Sequence, residues 1–145
     1  MFLNDVINSG AIQTLELSAR FASHRQRFIA HNIANLDTPN FVQADASVSG
    51  FQRALARAID EKRSRNDPGG ALNWRESGEL KRNEHGLLSV RPTTPASGVL
   101  FHDRNNRDLD QLMAQQAENV ADFRLTTDLL RNQFELIRSA IGQRA

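Results

Sequence analysis

The four histidines are the residues of this 145-residue chain that could most readily hold a metal ion. His24 and His31 are seven residues apart and would share one face of a helix, whereas His85 and His102 lie in a polar middle segment. A helical metal site is recognised by two ligands three or four residues apart with an accompanying carboxylate, and these histidines lack that spacing. We therefore expect ordinary surface histidines, with no bound metal and no cofactor.

Motifs for catalysis are missing as well. The chain contains no cysteine, which excludes thiol nucleophiles, disulfides and cysteine-bound zinc. The sequence contains no nucleophile elbow, phosphate-binding loop or dinucleotide fingerprint. The net charge is +1, and acidic Asp60 and Asp67 flank the basic stretch EKRSR at 61–65, which favours a solvated loop over a nucleic-acid contact. The sequence predicts no enzymatic activity, no small-molecule substrate and no nucleic-acid partner.

The composition does not favour one large core. Hydrophobic residues make up 39% of the chain, which is low for a compact single domain. No stretch is long and apolar enough for a transmembrane helix, and residues 1–11 lack the basic start and apolar run of a cleaved signal peptide. If the protein leaves the cytosol, we expect it to use another route.

Apolar residues near the N-terminus recur every three or four positions, the pattern of an amphipathic helix with one apolar seam. The seam consists of Ile12, Leu15, Ala19, Ala22, Gln26, Ile29 and Ile33. Gln26 is its one polar interruption. A second line of Leu17, Phe21 and Phe28 widens the apolar face, so this helix should contact more than one partner. Arg25 falls on the opposite, polar side.

The C-terminal part repeats the pattern over four heptads. Its seam consists of Met113, Gln116, Val120, Phe123, Thr127, Leu130, Phe134, Ile137 and Ile141. At 1.5 Å per residue, a helix from Asp108 to Gln143 would be about 50 Å long. Asp108, followed three residues later by Gln111, is typical of a helix start with a capping side chain.

Neither amphipathic helix can bury its seam alone, because single helices are marginal in water. The simplest arrangement pairs the two ends of the chain as a coiled coil and leaves their remaining apolar faces for neighbouring subunits. The sequence thus predicts a mostly α fold, with an N-terminal helix and corner at 1–41, a flexible middle at 42–108 and a C-terminal helix at 109–145.

The middle segment is rich in loop signals. Apolar residues four apart predict a short helix near 51–62, and the stretches at 71–75, 79–83 and 86–91 are candidate short strands. Trp74, the only tryptophan, fits either a core position or an intersubunit contact.

The stretch AHNIANLDTPNF at 30–41 predicts a shaped corner after the first helix. Asn32 and Asn35 compete with the helical backbone for hydrogen bonds, and Thr38 is driven out of the α region by Pro39. We expect the helix to end near Asn35. Asn40 follows the proline where a positive φ is often needed, and asparagine tolerates that conformation well.

The same stretch resembles the pattern ANNIANxxTPGY of the bacterial flagellar rod and hook proteins. The matching residues are Asn32, Ile33, Ala34, Asn35, Thr38 and Pro39, with Asn40 in place of the usual glycine and Phe41 as the aromatic residue. The block RPTTPASGVLFHDRNNRDLDQLMAQQAEN and the ending RNQFELIRSAI are most similar to the proximal rod members of that family. The resemblance covers Ile12 to Phe41 and Arg91 to Ile141.

The resemblance implies a structural subunit of the flagellar basal body. Such proteins are exported through the flagellar type III apparatus without a cleaved signal and form a periplasmic helical tube lined by coiled-coil terminal helices. The implied partners are copies of the chain, other rod proteins, and components of the membrane ring and export gate. The implied assembly positions are the corner residues 32–35 and 38–41 together with Val120, Phe123, Leu130, Phe134, Ile137 and Ile141.

Phe2 and Val6 are similar to the apolar element that early export substrates present to the gate. A second class of function stays open at this point, a soluble coiled-coil adaptor or export chaperone, because such a protein would also have helices at both ends. The corner separates the two, since an adaptor does not need it.

Overall fold

The computed structural model describes residues 10–66, 70–94 and 108–142. Helix α1 spans Gly10–Ala34 and helix α2 spans Val48–Ser64. Strands β1 (Leu80–Arg82) and β2 (Leu88–Val90) follow, and helix α3 spans Leu109–Gly142. The mostly helical fold with long helices in both terminal parts of the chain is therefore confirmed.

Helix α2 is longer than the predicted 51–62 because its first turn is capped. The hydroxyl of Ser47 accepts a hydrogen bond from Gly50 N at 3.0 Å, the usual role of serine at this position. The backbone N–H of Ser47 donates to Glu79 Oε2 at 3.2 Å, which ties the start of α2 to the hairpin. The helix continues to Ser64, so residues 61–64 of the EKRSR stretch are helical. The loop interpretation was wrong there.

A two-stranded antiparallel hairpin forms the other part of the middle segment. Leu80 pairs with Val90 and Arg82 with Leu88, and Gly86 adopts a φ of 72° in the turn, a conformation that glycine allows without strain. Two of the three candidate strands are therefore confirmed. The third, at 71–75, was wrong. Within the described residues, this stretch does not pair with a strand. It is attached to α1 by contacts such as the 2.7 Å hydrogen bond from Leu72 N to Gln13 Oε1.

One apolar core lies between α1, α2 and the hairpin. Its buried members are Phe21, Ala46, Phe51, Ala58, Trp74, Leu80, Leu88 and Val90. Phe21 of α1 and Phe51 of α2 stack with ring centroids 4.1 Å apart. Trp74 is buried here and is covered by the guanidinium of Arg82, 4.7 Å from the ring centroid, so the core interpretation of this tryptophan holds within the single chain.

Helix α3 packs along α1. At 34 residues its length is about 50 Å, compared with about 37 Å for the 25 residues of α1. Gln111 N donates to Asp108 Oδ1 at 2.9 Å, which confirms the predicted cap. Among the helices of the described ranges, none is long and apolar enough to cross a membrane.

Candidate functional site: the corner and the paired helices

The corner after α1 is closed by a tight turn. Thr38 N donates to Asn35 O at 3.0 Å, and Phe41 N donates to Thr38 O at 3.3 Å. Asn40 has a φ of 59°, and a proline followed by a residue with positive φ is the pattern of a type II turn. The predicted positive φ at Asn40 is confirmed.

Asn35 and Asn32 have different tasks in this corner. The Asn35 side chain donates to His31 O at 2.9 Å, so it does compete with the helical backbone as predicted. Asn32 does not. Its amide is buried, donates to Ala44 O at 2.7 Å and accepts from Ala44 N at 3.0 Å. The Asn32 side chain thus pairs with both backbone polar groups of Ala44, as a neighbouring strand would. These two bonds hold the segment after the corner against α1.

The other corner residues lie around the turn. Ile33 is half-buried, whereas Ala34, Thr38 and Pro39 are exposed. Phe41 packs edge-on against His31, with ring centroids 5.3 Å apart. The corner therefore combines a buried inner clamp with an exposed outer surface.

Arg25 joins three parts of the chain. Its Nε lies 3.2 Å from Asp45 Oδ1, and its NH1 lies 3.9 Å from Glu118 Oε2 on α3. Asp45 in turn exchanges two backbone hydrogen bonds with Thr93, at 2.9 and 2.8 Å. The guanidinium is buried, so the prediction of a solvent-facing Arg25 was wrong. Helical periodicity places a residue on a face but does not reveal that an acidic partner covers it.

The contact between α1 and α3 contains a buried polar group at its centre. Asn119 Nδ2 donates to Ala22 O at 3.0 Å and to Gln26 Oε1 at 2.9 Å. Gln26, the polar interruption of the N-terminal seam, therefore has a partner on α3. A buried amide in an apolar seam favours one register, since any shift leaves it without partners. Asn119 is not among the predicted seam residues, although it is adjacent to one of them, Val120.

The contacting face of α3 is displaced from the predicted seam. Leu112, Asn119 and Ile137 are buried, and Val120 and Leu130 are half-buried. The predicted seam residues Phe123, Phe134 and Ile141, in contrast, are 40%, 47% and 49% exposed. We call these three residues the aromatic face. Of the C-terminal candidates, Ile137 is thus buried, Val120 and Leu130 are half-buried, and the aromatic face is exposed.

Helix α3 carries a second exposed apolar set that is not among the predicted residues. Leu125, Leu129 and Leu136 are 61%, 44% and 64% exposed, and we call them the leucine face. They lie on the row Glu118, Asp122, Leu125, Leu129, Asn132 and Leu136. This row alternates in steps of four and three, so the signal was present but was weaker than that of the longer seam.

His24, His31 and the basic stretch take part in ordinary contacts, and His102 lies outside the described residues. His24 Nε2 lies 3.1 Å from Leu88 O, linking α1 to the hairpin. Lys62 is buried and donates to Gln13 Oε1 at 3.4 Å, which is a correction to the expected solvated loop. Within residues 10–66, 70–94 and 108–142, no group of three or more histidine and carboxylate side chains could hold a metal ion. Phe2 and Val6 lie outside the described residues.

Two curated proteins are similar to this chain over most of its length. The flagellar basal body rod protein FlgB of Borrelia hermsii is 33% identical over 124 residues, which cover 82% of this chain and 86% of the relative. The chain belongs to the FlgB family of flagellar basal body rod proteins. FlgB of Bacillus subtilis strain 168 is 27% identical over 135 residues, covering 92% of this chain and 94% of the relative. No family model matches the chain.

The resemblance of the corner to the rod and hook proteins is therefore confirmed at the level of the family. Membership of the FlgB family implies a structural component of the flagellar basal body rod. In this FlgB-family chain the corner residues and the α1–α3 contact form one connected structure, because Arg25 touches both Asp45 beyond the corner and Glu118 on α3.

Proposed function

We propose that this protein is a structural subunit of the proximal rod, exported by the flagellar type III apparatus and assembled into a helical drive shaft by its paired terminal helices. The observation that carries the proposal is the aromatic face, three large apolar side chains of α3 that a single chain leaves 40–49% exposed. Contiguous apolar surface of this kind is typical of interaction sites.

Burial of the aromatic face would favour assembly. A fully buried Phe or Ile side chain contributes about 1.5–3 kcal/mol relative to an exposed one. Since Phe123, Phe134 and Ile141 are 40–49% exposed, about half of this free energy per side chain would be gained when a neighbouring subunit covers them. The gain repeats in every subunit, so a modest contribution per copy stabilises a long polymer. We propose that α1 and α3 form the coiled coil of the rod wall, with the Asn119 hydrogen bonds fixing their register.

We propose that the corner sets the direction in which the chain leaves the rod wall. Asn32 fixes the inner side of the corner through Ala44, and the turn at Asn40 fixes the outer side. Pro39→Ala should therefore reduce rod assembly more than Pro68→Ala, a change in the NDPGG stretch at 66–70 that the sequence predicts to be a loop. Equal effects of the two substitutions would argue against a special role for the corner.

Export and partners complete the proposal. Phe2 and Val6 would engage the export gate, and the partners would be other rod proteins, copies of this chain and components of the membrane ring. Replacement of both residues by Ser should block export while the protein still accumulates in the cytosol. Export at the wild-type level would show that Phe2 and Val6 are not needed for export.

The location of the protein tests the proposal directly. Detergent-resistant basal bodies and the cytosolic fraction of the same cells should be compared by mass spectrometry. We expect enrichment in basal bodies and its loss in a strain that lacks the rest of the rod. A protein found only in the cytosol would instead be a coiled-coil adaptor or an export chaperone.

A further inference from the structure

Helix α3 has apolar side chains on two separate sides besides the side that contacts α1. At about 100° per residue, the aromatic and leucine faces lie roughly 150° apart around the helix axis, with the α1 contact on the arc between them. One neighbouring helix cannot cover two faces so far apart. The side chains of both faces are 40–64% exposed, so two different neighbours are needed to bury them.

The surroundings of the aromatic face are mainly basic. Arg131 and Arg138 lie one helical turn before and after Phe134, and both line a groove of about 710 Å³ together with Phe134, Glu135 and Ile141. Neither arginine forms an ion pair with any described residue. Among the described residues that line the groove, Glu135 is the one acidic side chain, so these residues together carry a net positive charge.

The surroundings of the leucine face are acidic. Asp122 precedes Leu125 by one turn on the same row, and Asp128 lies one turn after Leu125 on its outer side. Both carboxylates are exposed and without an ion pair within the described ranges. Glu118 begins the row, and its only ion pair there is the long one with Arg25 at 3.9 Å. The two exposed faces of one helix are thus both apolar and opposite in charge.

We propose that the leucine face of one copy of this chain packs into the aromatic groove of a second copy, with Asp122 and Asp128 facing Arg131 and Arg138. Opposite charges around two apolar faces favour this pairing over contact between two identical faces, which would place like charges together. Because the contact joins two different surfaces, it is heterologous and leaves a free face at each end for the next copy. The inference rests on the proposed function and names the contact by which copies meet.

Cross-linking between differently tagged copies tests the pairing. The chain has no cysteine, so single substitutions give defined sites, namely Thr127→Cys beside the groove and Asn132→Cys on the leucine row. Both variants, each with its own tag, would be produced together in a motile strain that lacks the chromosomal copy. Isolated basal bodies would then be treated with a short bismaleimide. We expect dimers that contain both tags to predominate over dimers of either single variant.

Three results would overturn the pairing. They are dimers of one variant alone, cross-links only to other proteins, and no cross-link although both variants are present in basal bodies. Absence of both variants and of the wild-type chain from basal bodies would instead refute the proposed function itself. The two failures are therefore distinguishable in one experiment.

Charge reversal provides an independent test. Arg131→Asp with Arg138→Asp, or Asp122→Arg with Asp128→Arg, should lower the amount of protein in basal bodies by about ten-fold or more, since like charges are then opposed. The variant with all four substitutions should recover most of the loss, because the charges are exchanged but still complementary. Arg57→Asp on the exposed side of α2 is the matched control. Circular dichroism would confirm equal helix content. If the variant with all four substitutions is no more abundant in basal bodies than the double variants, the pairing is contradicted.

Discussion

The part of the chain built from α1, α2 and the hairpin buries its large apolar side chains, whereas α3 leaves most of its own exposed. Phe51 is covered on one side by Phe21 and belongs to a core of eight buried residues. Phe134 lies in an open groove, and the described residues that line this groove all belong to α3. The difference shows that this sequence specifies two kinds of apolar surface, one completed within the chain and one that requires neighbours.

The largest contrast is expected between two phenylalanines. Phe51→Ala should lower the free energy of unfolding by about 3–5 kcal/mol, because it removes a stacked ring and leaves a cavity. Phe134→Ala should lower it by less than about 1 kcal/mol, since the ring is half exposed in the isolated chain. Urea titration followed by circular dichroism measures both. Similar losses for the two variants would abolish the distinction between the regions.

A smaller loss is expected at the ion pair that joins the corner to α3. Asp45→Ala should cost about 2–3 kcal/mol, because among the described residues it leaves the buried Arg25 with Glu118 alone, at 3.9 Å. Asp45→Asn should cost roughly half as much, as it keeps an acceptor for Ala46 N and Arg25. The same urea titration measures both. Equal and small losses for the two variants would show that the pair contributes little.

The hydrogen bonds of Asn119 join α3 to α1, and their contribution to stability can be measured separately. Asn119→Ala should cost about 1–3 kcal/mol, since Gln26 and Ala22 O lose their partner in a buried position. Asn119→Leu combined with Gln26→Leu should restore stability to within about 1 kcal/mol, because both polar groups are then removed. Thermal unfolding of the three proteins tests this. A double variant no more stable than Asn119→Ala would contradict the assigned role.

The smallest effect is expected at the turn. Asn40→Ala should cost about 1 kcal/mol, because alanine disfavours the φ of 59° at this position. Asn40→Gly should change stability by less than about 0.5 kcal/mol, since glycine adopts that conformation freely. The two melting temperatures give the comparison. A cost for glycine as large as that for alanine would show that the asparagine side chain, rather than the backbone, matters here.

Features determined by neighbouring residues could be predicted from the sequence. The cap at Asp108, the positive φ of Asn40 and the hydrogen bond from Asn35 to the end of α1 all depend on side chains within a few positions. The two strands of the hairpin belong to the same class, since Gly86 marks their turn. Each of these follows from local geometry alone.

Features that depend on a distant partner could not be predicted in this way. Arg25 and Asn119 are polar, and only the approach of Asp45 and of α1 makes their burial favourable. The aromatic face belongs to the predicted heptad seam, but the buried Leu112 and Asn119 each precede a seam residue, Met113 and Val120, by one position. The position of α1 decides which of these two neighbouring rows is buried, and the apolar spacing alone does not reveal it.

The most direct test of the assembly role of α3 is the amount of Phe134→Asp protein in purified basal bodies, with Leu130→Asp as a companion and swimming as the second readout. A charge in a packed apolar contact is costly, whereas the same charge on an exposed surface is not. We expect a soluble chain with unchanged helix content, absence from basal bodies and loss of swimming. Normal incorporation and normal swimming of both variants would contradict it.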